Sequence, residues 1–455
     1  MCPWQKLFPG GIFSDLHPLQ ITLNSSYKSL SIRPFNQSTI LMAEWSQLPR
    51  ELVDLISKYL SFEIDFLRFR SVCSSWRSSV PPKPYPNTPS RFPILPNNGI
   101  AENSWGFKLT KTPLYLISPP KQTTSSDDNH GGWILKLDRE NPQRMRLLNP
   151  LSRSQFKPLP SNFPKNLDPS QYPILELGQE YTLQFIKYRP RANSIADAGN
   201  LYMEKVAVRL EEDGFLLLTI HVSGKLVMYR SGDTKWSIVD DSSLPYDDVI
   251  LKDGNFYAVD NTGKGVLVKL SDGSAPELTI VGQSVFGGDK KFLVESCGEL
   301  LMVDKYLSIG PEDDLGYNEN VEFYEEFDCY MSERTVRFKV YKLDGEMQRW
   351  VEVTDLEDRI LFVGDNCTFS ALVSEVDCGC KGNCILFTDQ FFCSTEDDGG
   401  MWKNHGIGVF SLDNGSIGPI SSYNGYAELF WPPPSWICSP QPIDVSGVAV
   451  VSVSG

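Results

Sequence analysis

The side chains best suited to chemistry cluster in one stretch. Cys378-Gly-Cys380-Lys-Gly-Asn-Cys384, with Cys393 and His405 downstream, offers thiols and an imidazole that could hold zinc. Structural zinc sites use paired cysteine knuckles, and one irregular cluster does not supply them. The favoured reading is a Gly-Asn turn ahead of a strand at Ile385–Thr388, with small buried thiols around it. Neither a metal nor a cofactor is expected. His17, His130 and His221 are scattered, and His221, at the end of an apolar run, reads as a satisfied core or edge residue. The phosphate-binding Gly-x-x-x-x-Gly-Lys-Ser/Thr, the nucleophile elbow Gly-x-Ser-x-Gly and the zinc-protease His-Glu-x-x-His are all absent. The sequence reads as that of a non-catalytic protein.

One charged feature invites a binding role. Residues 311–328 hold Glu312, Asp313, Asp314, Glu319, Glu322, Glu325, Glu326 and Asp328 without a single Lys or Arg. A solvated insertion is the plain reading of such a run. The sharper one makes Glu322, Glu325 and Glu326 an electrostatic lure for a basic target, which would raise association rate more than affinity. The overall charge of −15 argues against nucleic acid or an anionic membrane as the main partner. No apolar run reaches the roughly 18 residues that a membrane helix needs.

Elements must position these groups. A length of 455 residues is enough to bury a large core beyond any small helical module. Aromatics at 12%, with 34 Gly and 32 Pro, suit a turn-rich β architecture. Ten irregularly spaced cysteines are too dilute for a secreted disulfide framework, so reduced thiols in the cytoplasm or nucleus are expected. The Asn-x-Ser/Thr triplets at Asn24, Asn36, Asn366 and Asn414 then count as chance. Residues 1–41 carry one acid, Asp15, and no periodicity. They read as a disordered or non-native extension, with Met42 as an alternative start.

Residues 48–80 have a helical rhythm. Pro49 suits the first turn of a helix, and Leu52, Leu55, Ile56, Tyr59 and Leu60 form one apolar stripe at 3–4 spacing. Phe66, Phe69, Cys73, Trp76 and Val80 continue the rhythm through two further short helices, the last capped by Ser71. So short a segment cannot bury all these side chains against itself. Leu48-Pro-Arg-Glu-Leu52, Asp65-Phe-Leu-Arg-Phe-Arg and Val72-Cys-Ser-Ser-Trp-Arg77 together resemble an F-box over residues 42–80. The resemblance implies a three-helix module that docks on the Skp1 adaptor of cullin-1 ubiquitin ligases. Leu48, Pro49, Leu52, Ile56, Leu60, Leu67, Val72, Cys73 and Trp76 match the positions that face Skp1, with Trp76 as the expected anchor.

Seven prolines between positions 81 and 96 mark a semi-rigid linker over residues 81–104. From residue 105 to 455 the texture becomes short β-rich runs between turn residues. Candidate strands run from Leu114–Ile117 and Trp133–Leu137 to Gly408–Leu412 and Val448–Val453. Leu226-Val-Met-Tyr-Arg-Ser-Gly-Asp-Thr-Lys-Trp236 echoes Phe338-Lys-Val-Tyr-Lys-Leu-Asp-Gly-Glu-Met-Gln-Arg-Trp350. Gly254-Asn-Phe-Tyr-Ala-Val-Asp260 likewise echoes Gly298-Glu-Leu-Leu-Met-Val-Asp304. Such recurrence favours hairpins stacked as blades, and the expected fold is multidomain: a small all-α F-box, then an all-β propeller of about six to seven blades.

Leu147-Leu-Asn-Pro-Leu-Ser-Arg153, Tyr246-Asp-Asp-Val249, Gly382-Asn-Cys-Ile-Leu-Phe-Thr-Asp389 and Trp431-Pro-Pro-Pro-Ser-Trp436 resemble plant F-box proteins with a KIB-type C-terminal domain. This second resemblance implies a β-propeller that presents a surface to a target protein. The function implied is substrate receptor of an SCF-type ubiquitin ligase. The alternative is a free-standing propeller that binds a protein or small ligand and carries a vestigial F-box.

Overall fold

The computed structural model describes residues 45–60, 63–81, 106–120, 131–141, 144–153, 160–164, 172–186, 205–211, 214–221, 223–234, 236–240, 242–270, 276–311, 331–389, 392 and 406–438. The N-terminal extension, most of the proline-rich linker and the candidate strand Val448–Val453 lie outside them.

A 3-10 turn at Trp45–Gln47 leads into three helices, α1 (Arg50–Lys58), α2 (Glu63–Ser71) and α3 (Ser74–Ser79). Pro49 stands just before α1, where its fixed φ of −53° and missing N–H cost nothing. Lys58 sits at the helix C-terminus and pairs with Asp54 at 3.2 Å. The expected Ser71 cap is not formed. Ser71 ends α2 and donates to Arg68 O at 2.7 Å, while the Cys73 sulfur accepts Trp76 N at 3.4 Å and caps α3. Val53, Phe66, Phe69, Trp76 and Val80 form the core of this module.

The β domain has five blades. In the first, β1 (Gly106–Ile117), β2 (Trp133–Asn141), β3 (Arg144–Leu148) and β4 (Ile174–Ile186) pair in the order β3-β2-β1-β4. The second runs β5 (Val206–Glu211), β6 (Gly214–Ile220), β7 (Leu226–Arg230) and β8 (Ser237–Asp240), and a single bridge, Tyr181 to Val206, joins it to the first. The third contains β9 (Tyr246–Lys252), β10 (Asn255–Asp260), β11 (Gly265–Lys269) and β12 (Glu277–Gly282). The fourth contains β13 (Lys290–Ser296), β14 (Glu299–Pro311), β15 (Met331–Asp344) and β16 (Arg349–Val353). The fifth contains β17 (Arg359–Val363), β18 (Thr368–Leu372), the helical turn α4 (Val373–Val376), β19 (Cys384–Thr388), β20 (Ile407–Ser411) and β21 (Ile417–Pro419). Its order is β18-β17-β19-β20-β21, with β17 and β19 parallel.

The inner strands β4, β5, β9, β13 and β18 touch in a closed ring, with β18 returning to β4. The count among the described residues is therefore five blades, not six or seven. The first blade alone spans 106–186, so total length divided by an ideal repeat overstates the number.

Packing between blades explains the composition of individual strands. A strand covered on both faces sends alternate side chains to opposite sides. Phe215 and Leu217 of β6 join the cluster against the first blade, whereas Leu216, Leu218 and Ile220 join the one against the third. Hence β6 is buried on both faces from Phe215 to Ile220, and apolar there except at Thr219, rather than alternating. Further clusters seal the third blade to the fourth, the fourth to the fifth and the fifth to the first. Both sequence echoes are structural. The Tyr–turn–Trp segments are the outer hairpins β7–β8 and β15–β16, and the Gly–strand–Asp segments are β10 and β14. Trp350 donates from its indole to Gly263 O at 2.8 Å across the blade interface. A final turn, α5 (Ser435–Cys438), packs Trp436 and Ile437 on Trp133 and Tyr172 of the first blade.

Candidate functional site: the helical module and the two rims of the propeller

The small helical module leaves much of its apolar surface bare. Leu52, Leu55 and Tyr59 follow one another at 3–4 spacing along α1 and are 47%, 50% and 80% exposed. Leu67 on α2 is 50% exposed, and Trp45 and Val72 are also exposed. Single exposed apolar residues need no explanation, but a helical row of them does. Of the nine residues expected at the adaptor contact, Pro49, Leu52, Leu67 and Val72 lie on the surface. Leu48, Ile56, Leu60 and Cys73 are half-buried against the module's core. Trp76 is only 3% exposed, packs against the tilted Phe69 ring at 4.4 Å and donates its indole N–H to Trp45 O at 3.0 Å. It holds the surface up from inside. The exposure of Leu55 and Tyr59 was legible in the same periodicity that revealed the helix.

The module touches the propeller through Ile64, whose backbone N–H donates to the Glu176 carboxylate at 3.3 Å. Glu176 lies near the start of β4 and accepts a second bond from Gln179 at 2.8 Å. β4 runs antiparallel to β5, so its start is at the rim where β5 ends. Gly132, beside that rim, donates to Val376 O of α4 at 2.7 Å. This rim is the helical-module side.

At the opposite rim the other inner strands, β5, β9, β13 and β18, begin. Lys205, one residue before β5, reaches Asp248 of β9 at 2.9 Å, Leu293 O of β13 at 3.1 Å and Thr368 Oγ of β18 at 2.7 Å. One ammonium thereby ties four blades at the propeller axis. Asp248 also accepts Leu293 N at 2.7 Å. Lys291 and Asp304, both fully buried, pair at 3.0 Å inside the fourth blade. On the first blade, buried Lys136 pairs with Glu180, and Arg153 binds the other carboxylate oxygen at 3.0 Å. Pro150 O of the Asn-Pro-Leu segment accepts from Lys136 at 3.4 Å and from the Cys367 thiol at 3.2 Å. These ion pairs are the inner framework of the ring.

The cysteine segment behaves as a turn. Asn383 adopts a left-handed φ of 55°, and its side chain accepts Leu356 N at 2.8 Å and donates to Asp413 at 2.6 Å. Cys384 lies 3.4 Å from the Tyr426 hydroxyl, and burial pushes its thiol up to about 12. Cys378 and Cys380 are joined by a disulfide, contrary to the expectation of reduced thiols throughout. Among the described residues, no three His, Cys, Asp or Glu side chains are arranged to hold a metal ion. Cys393, His405, Glu322, Glu325 and Glu326 lie outside those residues. The acidic segment connects the paired ends of β14 and β15 at Pro311 and Met331. No described helix is long and apolar enough to cross a membrane.

Comparison with known proteins adds the following. Residues 45–82 match the F-box domain model, and residues 106–411 match the KIB1-4 beta-propeller model. F-box protein SKIP23 of Arabidopsis thaliana is 45% identical over 410 residues, covering 88% of this chain and 96% of that protein. F-box protein At2g17036 of the same plant is 36% identical, covering 87% and 95%. Putative F-box protein At5g60060 is 32% identical, covering 83% and 96%.

Proposed function

Because the chain belongs to the plant F-box proteins that carry a KIB1-4 beta-propeller, we propose that it is a substrate receptor of an SCF-type ubiquitin ligase. The F-box docks Skp1 and, through it, cullin-1. The propeller holds a target protein, and the receptor works in the cytoplasm or nucleus. The observation that supports this reading best is the bare row Leu52, Leu55 and Tyr59 on α1. Burying a Leu side chain that was exposed is worth about 1.5–3 kcal/mol, so this row favours a partner with an apolar groove. The receptor supplies proximity and orientation, which can lower a bimolecular barrier substantially, while bond-making belongs to other subunits. Residues 42–80 form the docking module, 81–104 the spacer and 105–455 the target-binding domain.

The test is capture of purified Skp1 by the full-length protein, with the α1 row intact or replaced by Glu. Retention of Skp1 by the Glu variants would favour the alternative, a propeller whose F-box is vestigial.

A further inference from the structure

Cys378 and Cys380 close a covalent ring with one residue, Gly379, between them. The ring sits in the turn that leads from α4 to β19, on the helical-module side of the propeller. Cys378 is flanked by two residues in the left-handed region, Asp377 at φ 45° and Gly379 at φ 69°. Asp377, Gly379 and Lys381 are exposed, while the cysteines between them are 5% and 7% exposed. The bond thus lies one layer below the surface, where the opening of a single turn admits a reductant.

Both flanks of the ring belong to the seam that closes the propeller. A Cβ on Gly131, just ahead of β2, would come within 2.8 Å of Cys378 Cα. One on Gly425 would come within 2.5 Å of Cys378 O and 3.0 Å of Cys380 N. Beside Gly425, the Tyr426 hydroxyl donates to Lys381 O. From there the chain runs to Phe430, whose carbonyl accepts the indole N–H of Trp133 in the first blade at 2.7 Å. Both cysteines join Leu116, Ile360 and Phe430 in the apolar cluster that seals the fifth blade to the first. The ring is therefore clamped between the first blade and the C-terminal segment, so a change in its shape meets backbone on both sides.

A ring this small removes little chain entropy from the unfolded state, since that gain grows with loop length, so it is a poor staple. Cys384 is no exchange partner for it, because burial pushes that thiol up to about 12 and leaves essentially no thiolate at neutral pH. Once reduced, the two thiols stay one residue apart and pack as small apolar side chains, so both states fit the fold. We propose that the Cys378–Cys380 pair is a redox switch that tightens the seam between the first and fifth blades when oxidised and loosens it when reduced. Two reductant thiols, from one dithiol or two glutathione molecules, supply two electrons and two protons. The Sγ–Sγ bond breaks, Cys378 and Cys380 become thiols, and the reductant leaves as its own disulfide. The proposal takes the cytoplasmic or nuclear location from the receptor reading, because reversible disulfides in a reducing compartment serve as sensors.

The test equilibrates the purified full-length protein in glutathione buffers from fully reduced to fully oxidised. Free thiols are trapped with N-ethylmaleimide and located by mass spectrometry. Cys378 and Cys380 should gain and lose the label together as the buffer changes. Hydrogen exchange is read on the same samples at the Gly132 and Phe430 amides, which donate to Val376 O and Ala427 O. Both should exchange about tenfold faster in the reduced form, while the amides of β10, in the third blade, stay unchanged. Cys378→Ser with Cys380→Ser should exchange like the reduced parent and no longer respond to the buffer. The switch is overturned if the pair never forms or if it stays closed in excess dithiothreitol. Equal exchange at the seam in both forms, or a double variant that still responds, overturns it as well. Skp1 capture is measured separately on the same preparations: its loss would withdraw the receptor reading and leave the redox results standing.

Discussion

Lys205 and Asp248 are 2.9 Å apart, at the point where the second and third blades meet the axis. Neither belongs to an apolar cluster, yet the same ammonium also bonds groups on the fourth and fifth blades. Ring closure in this propeller thus depends on a central charge as well as on the apolar seams between blades. Removing one partner of a buried ion pair typically costs about 3–5 kcal/mol, because the other charge is left uncompensated. Lys205→Met should therefore lower the thermal unfolding midpoint markedly. Asp248→Asn, which retains an acceptor for Leu293 N, should lower it less. Equal stability of Lys205→Met and the parent would show that the ammonium is incidental.

A pH dependence follows from Asp247. Burial raises its carboxyl from 3.8 to about 6, against the smaller pull of Lys291 N–H and the Lys290 charge. The folded state therefore prefers the protonated form. The resulting penalty is absent below pH 3.8, grows between there and about 6, and is complete above. Asp247→Asn should be more stable than the parent at pH 7.5 and no more stable at the acid end of that window. Denaturant unfolding of both proteins at the two pH values checks it. An advantage that persists unchanged at acid pH would trace to packing instead.

Trp76 and Leu52 should fail in different ways. Trp76→Ala opens a cavity in a core of five buried apolar side chains, and such truncations cost about 3–5 kcal/mol, more than a module this small can spare. Leu52→Ala trims a side chain that is about half exposed and outside that core, and should leave the helices intact. Circular dichroism of an isolated 42–104 fragment distinguishes the two, provided the wild-type fragment itself gives a helical spectrum. Loss of helix in the Leu52 variant, with Trp76→Ala unharmed, would reverse the assignment of core and face.

The spacer should be the weak point to protease. Proline-rich sequence between residues 81 and 104 joins two separately cored units. Limited trypsin treatment, with fragments identified by mass spectrometry, should cut there first and leave a resistant β-rich product. First cuts inside the blades would show that the two units do not fold apart.

How far the sequence could be read follows from where its charges lie. The three helices, both repeated hairpins and the middle strands of the blades showed themselves through apolar runs and turn residues, whereas the outer strands β3, β12 and β21 did not. The inner strands largely did not. Of the five, only β5, with Val206-Ala-Val208, has a plain β-rich run. Tyr246-Asp-Asp-Val, Lys290-Lys-Phe-Leu and Ile174-Leu-Glu-Leu carry charges that, in isolation, look like loops. They are strands because Asp248, Lys291 and Glu176 find partners across or within blades, a relation that no local pattern contains. The same blindness applied to Trp76, since periodicity marks a residue as apolar without saying whether its neighbours are its own core or another protein.

The docking row on α1 can be tested most directly by isothermal titration of Skp1 into the full-length protein, comparing the parent with Leu52→Glu and Leu55→Glu together. These positions are about half exposed, so the charges should be tolerated in the free protein, and an unchanged thermal midpoint would verify that. Burying two unpaired carboxylates against an apolar groove should weaken binding by about a hundredfold or more. Unchanged Skp1 affinity in a folded double variant would contradict the assignment of this face to the adaptor.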